Sequence, residues 1–412
     1  MFIKADGVFY PAYLNEEFFT ESLENGFNES KISVQGITFE MGSTPGENYC
    51  SQIFRVRVTY KRKKSDKFYE TSLIIKSLLV GDQMDFLEQI DSFSKERTMY
   101  MKLLPIMEVI LNGEKLAPKC FYTQKNPTGI YVFEDLRALG YKLSNRQIGL
   151  DLPHCEIAMR KIARFHASSM ILVKKVPSIF DGFKQGLLSE DSIFENASLV
   201  KMFGGHLKML ANVVNKFQGY ENIGTKLEKY HSNIVQNLLK CGSQRPGELA
   251  VLNHGDFWVN NIMFNYNEAG EPIDCVFVDM QMNVYSSPGM DLNYFFNTSL
   301  PLDILINNRE YLIQIYYDSL KETLETHHYE DVPCYELVRK EVATREDHGF
   351  FASYAIFPNV IMDRCESQDM SCESLQDEEL GQMKREVIFA GERLRDHMKY
   401  SLKRFDDLGV FE

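Results

Sequence analysis

Alternation of apolar and polar positions lays out the first third of the chain as strands. Between Cys50 and Tyr60, Phe54, Val56, Val58 and Tyr60 alternate with Arg55, Arg57 and Thr59, the period of two that marks a half-buried strand. A strand over Gly36 to Met41 precedes it across the polar turn Gly42-Ser43-Thr44-Pro45-Gly46-Glu47-Asn48. A third, over Phe68 to Ser77, follows the basic run Lys61 to Lys64; because the strand pattern resumes at once, that run reads as a solvated hairpin tip rather than a targeting signal. From about Met84 to Leu111, Phe86, Phe93, Tyr100 and Leu104 among charged residues predict a helix. A short apolar strand over Ile130 to Phe133 then ends at Glu134-Asp135-Leu136, which reads as a connector into a region of different composition.

Beyond the connector the period changes. Ala158, Ile162, Phe165 and Ser169 recur at helical spacing beside the row Cys155, Met159, Ala163, His166 and Met170, predicting a core helix over Leu152 to Leu172. Residues 180–245 and 300–410 carry mostly helical patterns, interrupted by a β segment at 250–281, and neither a repeat nor a low-complexity tract is visible.

Composition narrows the function classes. A chain of 412 residues exceeds one ordinary core and suits two lobes, and 44% hydrophobic with 25% charged residues is the balance of a soluble globular protein. A formal net charge of −13 argues against a phosphate-backbone or anionic-lipid partner, since those need clustered Lys and Arg. Acidic residues and a proline interrupt the start MFIKADGVFYPAYLNEEFF where a signal peptide needs an apolar run, and no stretch approaches a membrane span, so a cytoplasmic location without membrane insertion is expected. The eight cysteines, at 50, 120, 155, 241, 275, 334, 365 and 372, form no CxxC pair and read as inert thiols, with no structural metal expected. In that compartment the sequons at Asn28, Asn196 and Asn297 are chance matches.

Chemistry concentrates in one stretch, from Val251 through His254-Gly255-Asp256 and Asn261 to Phe264, followed by Val276-Phe277-Val278-Asp279-Met280-Gln281. The turn-rich segment Asn265 to Pro272 between the halves predicts a hairpin. Asn261 and Asp279 are equidistant from Gly270, so an antiparallel pair folded there brings their oxygens to one place. An amide and a carboxylate suit Mg²⁺, which takes few protein oxygens and fills its remaining positions with water and phosphate. Asp256, five residues before Asn261, then lies within reach of an acceptor hydroxyl. This order of Asp, Asn and strand-terminal Asp recurs in kinases, where the first meets the nucleophilic hydroxyl and the others hold metal on ATP. A lone Asp after an apolar strand is more often a cap or turn residue, and only the combined string separates the two explanations. Beside it His254 reads as a structural ring holding the loop, Trp258 as packing, and Asp291 as a helix cap or a brace of the loop. Lys76, a charge set into the apolar strand Leu73-Ile74-Ile75-Lys76, needs a partner if buried, and Glu96 in the following helix is the best placed; a snorkelling lysine and a solvated glutamate are the plain alternatives. The turn holding Gly46, Asn48 and Ser51 stands where a phosphate-covering loop is expected, although it has no GxGxxG. Glu134, Asp135 and Leu136 are placed to border an adenine by their backbone.

With these residues in view, the chain resembles the ecdysteroid kinase-like family of insects, relatives of choline and aminoglycoside kinases. The resemblance is carried by PGENYCSQIFRV, LIIK, the Phe93 to Tyr100 helix, YVFEDL, IARFHASS, HGDFWVNNIMF, VDMQ and the Pro288 to Asp291 step. It implies an α+β, protein-kinase-like, two-lobed fold: an N-lobe of antiparallel sheet plus helix over 1–133, a linker over 134–140, and a larger, mainly helical C-lobe over 141–412. It further implies ATP and Mg²⁺ as cofactors, Asp256 as catalytic base, Asn261 and Asp279 as metal ligands, Lys76 on the ATP phosphates paired with Glu96, and a small-molecule alcohol as acceptor. Met280 departs from the Phe usual at that position, a change of similar bulk. The family's implied acceptors are moulting steroids, with detoxification of plant or xenobiotic compounds also proposed; a choline-like amino alcohol kinase and a nucleotide-binding pseudokinase are the competing expectations. The aromatic run Phe350 to Phe357 is explained equally by an apolar acceptor pocket or by core packing.

Overall fold

The computed structural model of the protein describes the chain apart from residues 1, 6–7, 43–50, 64, 66, 79–87, 89, 127–128 and 363–377. Five antiparallel strands form the main sheet, in the order Ser33–Met41, Ser51–Lys61, Phe68–Leu78, Ile130–Glu134, Cys120–Gln124. The alternation in Ser51–Lys61 does what its period requires: Phe54, Val56, Val58 and Tyr60 are buried on one face and Arg57 is exposed on the other. That apolar face is covered by the helix Glu16–Phe27, which brings Phe18, Phe19 and Leu23 against Phe39 and Phe121. Asn15 starts this helix by accepting the Phe18 N–H at 3.0 Å. Neither this helix nor the strand Cys120–Gln124 was among the predicted elements. Leu73 and Ile75 point into the same core, so Ile74 and Lys76 are turned to the opposite face.

The helix expected from about Met84 begins among residues outside the description and is not one regular element: Ser92–Thr98 runs through a π turn, Met99–Leu103, into Leu104–Ile110. Pro105 explains the change. It has no N–H to give the Met101 carbonyl, and the wider turn, in which the Leu104 N–H reaches the Met99 carbonyl, makes room for its ring. This segment packs Tyr100, Leu103 and Met107 into a second core shared with the C-terminal half.

The C-terminal half is mainly helical. The helix Leu152–Lys175 is its axis, with Ala158, Ile162 and Phe165 fully buried, and Leu302–Thr326 lies along it. The predicted hairpin is present as Ile262–Tyr266 paired with Pro272–Phe277, joined by Lys142–Leu143 as a third strand, and Val251–Asn253 pairs with Val284–Ser286. The chain thus has the expected α+β class, an antiparallel sheet followed by a larger helical part. Among the described residues no helix is long and apolar enough to cross a membrane. Of the cysteines, Cys120, Cys155, Cys241, Cys275 and Cys334 are free thiols, while Cys50, Cys365 and Cys372 lie outside the described residues.

Candidate active site

One cavity of about 290 Å³ opens between the sheet and the hairpin. Nine of the expected site residues line it: Ser51, Lys76, Glu96, Glu134, Asp135, Leu136, Asp256, Asn261 and Asp279. The other two, Gly46 and Asn48, lie outside the described residues.

The hairpin register differs from the symmetrical one. Tyr266 pairs with Pro272 near the tip, which would carry Asn261 opposite Phe277; an irregularity at Asn265/Tyr266 moves the pairing by one, so that Ile262 faces Phe277 and Asn261 meets Val278, whose N–H donates to the Asn261 carbonyl at 3.0 Å. Asp279 is therefore one residue past the partner of Asn261. It takes a left-handed backbone, φ 65°, an uncommon conformation for a residue with a side chain. Its N–H is held by the Tyr100 hydroxyl at 3.1 Å, and its carboxylate faces Lys76 at 2.7 Å.

Lys76 is a buried cation shared by two carboxylates, with Glu96 at 2.8 and 2.9 Å as well as Asp279. Burial alone disfavours its charge, but the two carboxylates outweigh that and hold its pKa above the usual lysine range. Glu96, 1% exposed, is pushed up to about 7 by burial, against the pull of Lys76. Lys76 and Glu96 are thus paired, and neither the snorkelling lysine nor the solvated glutamate is what the structure holds.

Asp256 follows Gly255, whose φ of 81° and close approach to the Met282 carbonyl require a residue without Cβ; a Cβ there would lie 2.0 Å from that oxygen. Both Asp256 oxygens are held. Oδ2 accepts from Asn261 Nδ2 at 2.8 Å, and Oδ1 accepts from the Tyr294 hydroxyl at 2.6 Å. The Asn261 nitrogen also donates to the Asp256 carbonyl at 2.9 Å; since both neighbours are acceptors, only this orientation of the amide works, and its oxygen is turned away from Asp256. Burial raises the Asp256 pKa, and the hydrogen bonds from Tyr294 and Asn261 oppose the shift.

Asp291 is a brace of the loop. Its carboxylate accepts the N–H groups of His254 at 2.6 Å and Gly255 at 2.9 Å, and is held by His166 Nε2 at 3.2 Å, whose other ring nitrogen meets the Tyr316 hydroxyl at 2.8 Å. His254 is a strut: Nε2 donates to the Val278 carbonyl at 3.0 Å and Nδ1 accepts the Asp256 N–H at 3.3 Å. It thereby ties the two halves of the hairpin region together.

At the connector the carboxylates serve structure. Asp135 accepts from Arg55 and Ser72, each at 2.7 Å, Glu134 pairs with Lys115, and both carboxylate residues line the cavity beside Leu136. The apolar walls there are Ile53, Ile74, Phe133, Leu143, Met263 and Val278. Sequence reasoning singled out neither these walls nor Tyr100, Tyr294 and His166. Ile74 follows from the strand period, and the i, i+3 spacing of Asp291 and Tyr294 was the available signal for the latter.

Solved structures with some likeness include an ethanolamine kinase of Plasmodium vivax, 14% identical over 88% of this chain and 84% of that one, with a TM-score of 0.39. Others are an aminoglycoside-3'-phosphotransferase of type VIII, 12% identical over 76% and 94% at 0.34, and a glucosamine kinase in complex with glucosamine, ADP and inorganic phosphate, 12% identical over 89% and 86% at 0.37. At these TM-scores they add nothing to the argument. No curated protein matches the sequence. The model of the ecdysteroid kinase-like family matches residues 45–329, which hold Lys76, Glu96, the loop at Asp256, the hairpin and Asp291. With more than two thirds of its length in that match, the chain belongs to the ecdysteroid kinase-like family.

Proposed function

We propose that the protein transfers the γ-phosphoryl group of ATP to a hydroxyl of a small molecule, with Asp256 as the general base. The observation that carries this is the convergence of a doubly held, half-buried Asp256, an amide oxygen at Asn261, a carboxylate at Asp279 and the Lys76 cation on one cavity. Adenine fits the apolar walls beside the connector, and Lys76 offers its charge to the phosphates. The donor set suits Mg²⁺: Asn261 spends its nitrogen on Asp256 and keeps its oxygen, and Asp279 has a second carboxylate oxygen beyond the one on Lys76. Bound by these two residues, Mg²⁺ would neutralise charge on the phosphoryl group. Asp256 takes the proton of the acceptor hydroxyl as that oxygen bonds to the γ-phosphorus and the bond to ADP breaks, giving a phosphate ester and ADP.

Every carboxylate lining the cavity among the described residues already has a partner: Glu96 and Asp279 with Lys76, Asp135 with Arg55, Glu134 with Lys115, and Asp256 with Tyr294 and Asn261. The partners of Asp256 are neutral donors, and one Lys76 cation serves both Glu96 and Asp279, so a cationic amino alcohol is the second reading of the acceptor. Family membership supports an ecdysteroid or another steroid or xenobiotic alcohol as the first reading. The test is phosphate transfer from Mg-ATP to a panel of hydroxylated steroids, phenols, choline and ethanolamine, with Asp256→Asn beside the wild type. The expected result is transfer to a steroid or phenolic alcohol, reduced at least about a hundredfold in the variant. Transfer to choline or ethanolamine alone would move the acceptor class. Mg-ATP binding without transfer to any member would leave a pseudokinase.

A further inference from the structure

The helix Gly289–Thr298 faces the loop of Asp256 with two residues three positions apart, which a helix places on one side. The first, Asp291, holds the backbone N–H groups of His254 and Gly255. The second, Tyr294, reaches the next residue's side chain, donating its hydroxyl to Asp256 Oδ1 at 2.6 Å. One helix face thus sets both the backbone of the loop and the carboxylate it presents. Because Asn261 holds Oδ2 at 2.8 Å, each oxygen of Asp256 has a donor from a different element, and the carboxylate cannot turn about its last bond without losing both.

We infer that Tyr294 is a positioning residue for the transfer reaction: its phenol fixes the Asp256 carboxylate in the rotation that receives the acceptor's proton. Each carboxylate oxygen has capacity for two hydrogen bonds, so the hold by Tyr294 and Asn261 leaves one acceptor direction on each for the incoming hydroxyl. An O–H···O⁻ bond of this length is of the strong, charge-assisted kind, and geometry within a proton-transfer site is worth orders of magnitude in rate. Tyr294 is itself buried, 5% exposed with its ring near that of His348 at 6.1 Å, so packing directs its hydroxyl to Asp256. Loss of the hydroxyl leaves the ring packing in place and frees only the carboxylate.

The inference rests on Asp256 being the base, and the experiment keeps the two apart. Wild type, Tyr294→Phe and Asp256→Asn are compared, using the panel member that the wild type phosphorylates fastest, by single-turnover transfer rate, KM for ATP, Mg-ATP affinity by calorimetry, and thermal midpoint. For Tyr294→Phe the single-turnover rate should fall about 10- to 100-fold, part of the range general base catalysis supplies, while KM for ATP and nucleotide affinity stay within about twofold. A rate within about twofold of wild type, with Asp256→Asn inactive, would overturn the role of Tyr294 and leave the base assignment standing. A loss of nucleotide affinity or of thermal midpoint matching the loss of rate would also overturn it, since Tyr294 would then be a packing residue. If Asp256→Asn transfers phosphate like the wild type, or no panel member is phosphorylated, the base assignment fails and the inference with it.

Discussion

Replacing His397 by Phe should make the fold less sensitive to acid by a calculable amount. His397 is 1% exposed, its Nε2 has no partner among the described residues, and its ring lies against Phe357 with centroids 4.4 Å apart. Burial, helped by the nearby Arg393, lowers its pKa from 6.5 to about 3. The folded state therefore keeps this ring neutral where the unfolded chain would protonate it. Above about pH 7 neither state carries the proton and the site adds no pH dependence. As pH falls below 6.5 the unfolded state gains a proton that the folded state refuses, and stability drops by about 1.4 kcal/mol per unit until the folded pKa is reached. At pH 5 the loss is about 2 kcal/mol, a large share of a total stability of roughly 5 to 15 kcal/mol, and it depends only on the folded pKa lying below 5. Phe keeps the aromatic packing and removes the titration. Urea unfolding of both proteins at pH 7.5 and pH 5.0 is the assay, and the quantity that matters is the difference between the two losses. Glu96, raised to about 7, acts with the opposite sign, taking up a proton in the folded state as pH falls. His206, lowered to about 4, and His348, lowered to about 3, act with the same sign as His397, and all three contributions are common to both proteins. The variant should lose about 2 kcal/mol less than the wild type. Equal losses would refute the reasoning, because they would mean that His397 protonates in the fold as readily as in the open chain.

Gly255→Ala should cost about 2 to 3 kcal/mol of stability and most of the transfer activity, since the new Cβ would meet the Met282 carbonyl at a left-handed position; an unchanged melting midpoint and rate would contradict the close approach. Lys76→Met should destabilise the protein by roughly 3 kcal/mol, because it leaves two carboxylates without their shared cation, and should weaken Mg-ATP binding at least about tenfold. Calorimetry checks the second part, and unaltered nucleotide affinity would remove Lys76 from the phosphate site.

Much of the site was legible because its central chemistry is local. Asp256 and Asn261 are five residues apart, and one hairpin brings Asn261 near Asp279, so turn chemistry and strand period suffice to place them in one region. The period of two likewise turns Lys76 away from the face of Leu73 and Ile75, whatever the sheet packs against. The limit appears in the same hairpin: the irregularity at Asn265/Tyr266 shifts the pairing by one residue, and the left-handed backbone of Asp279 re-aims its carboxylate. Neither is encoded in the apolar pattern, because both are local departures that surrounding contacts sustain.

What this sequence determined alone was therefore the elements that carry the central residues, the strand holding Lys76 and the hairpin after Asp256, the face each presents, and the residue types that phosphoryl chemistry needs. Which faces meet was decided by tertiary packing. Tyr294 reaches Asp256 across 38 positions, Lys76 reaches Asp279 across 203, and Arg55 reaches Asp135 across 80. A periodic pattern states that a side chain is buried, but the partner of a buried hydroxyl or charge is chosen by the three-dimensional arrangement that satisfies all such groups at once.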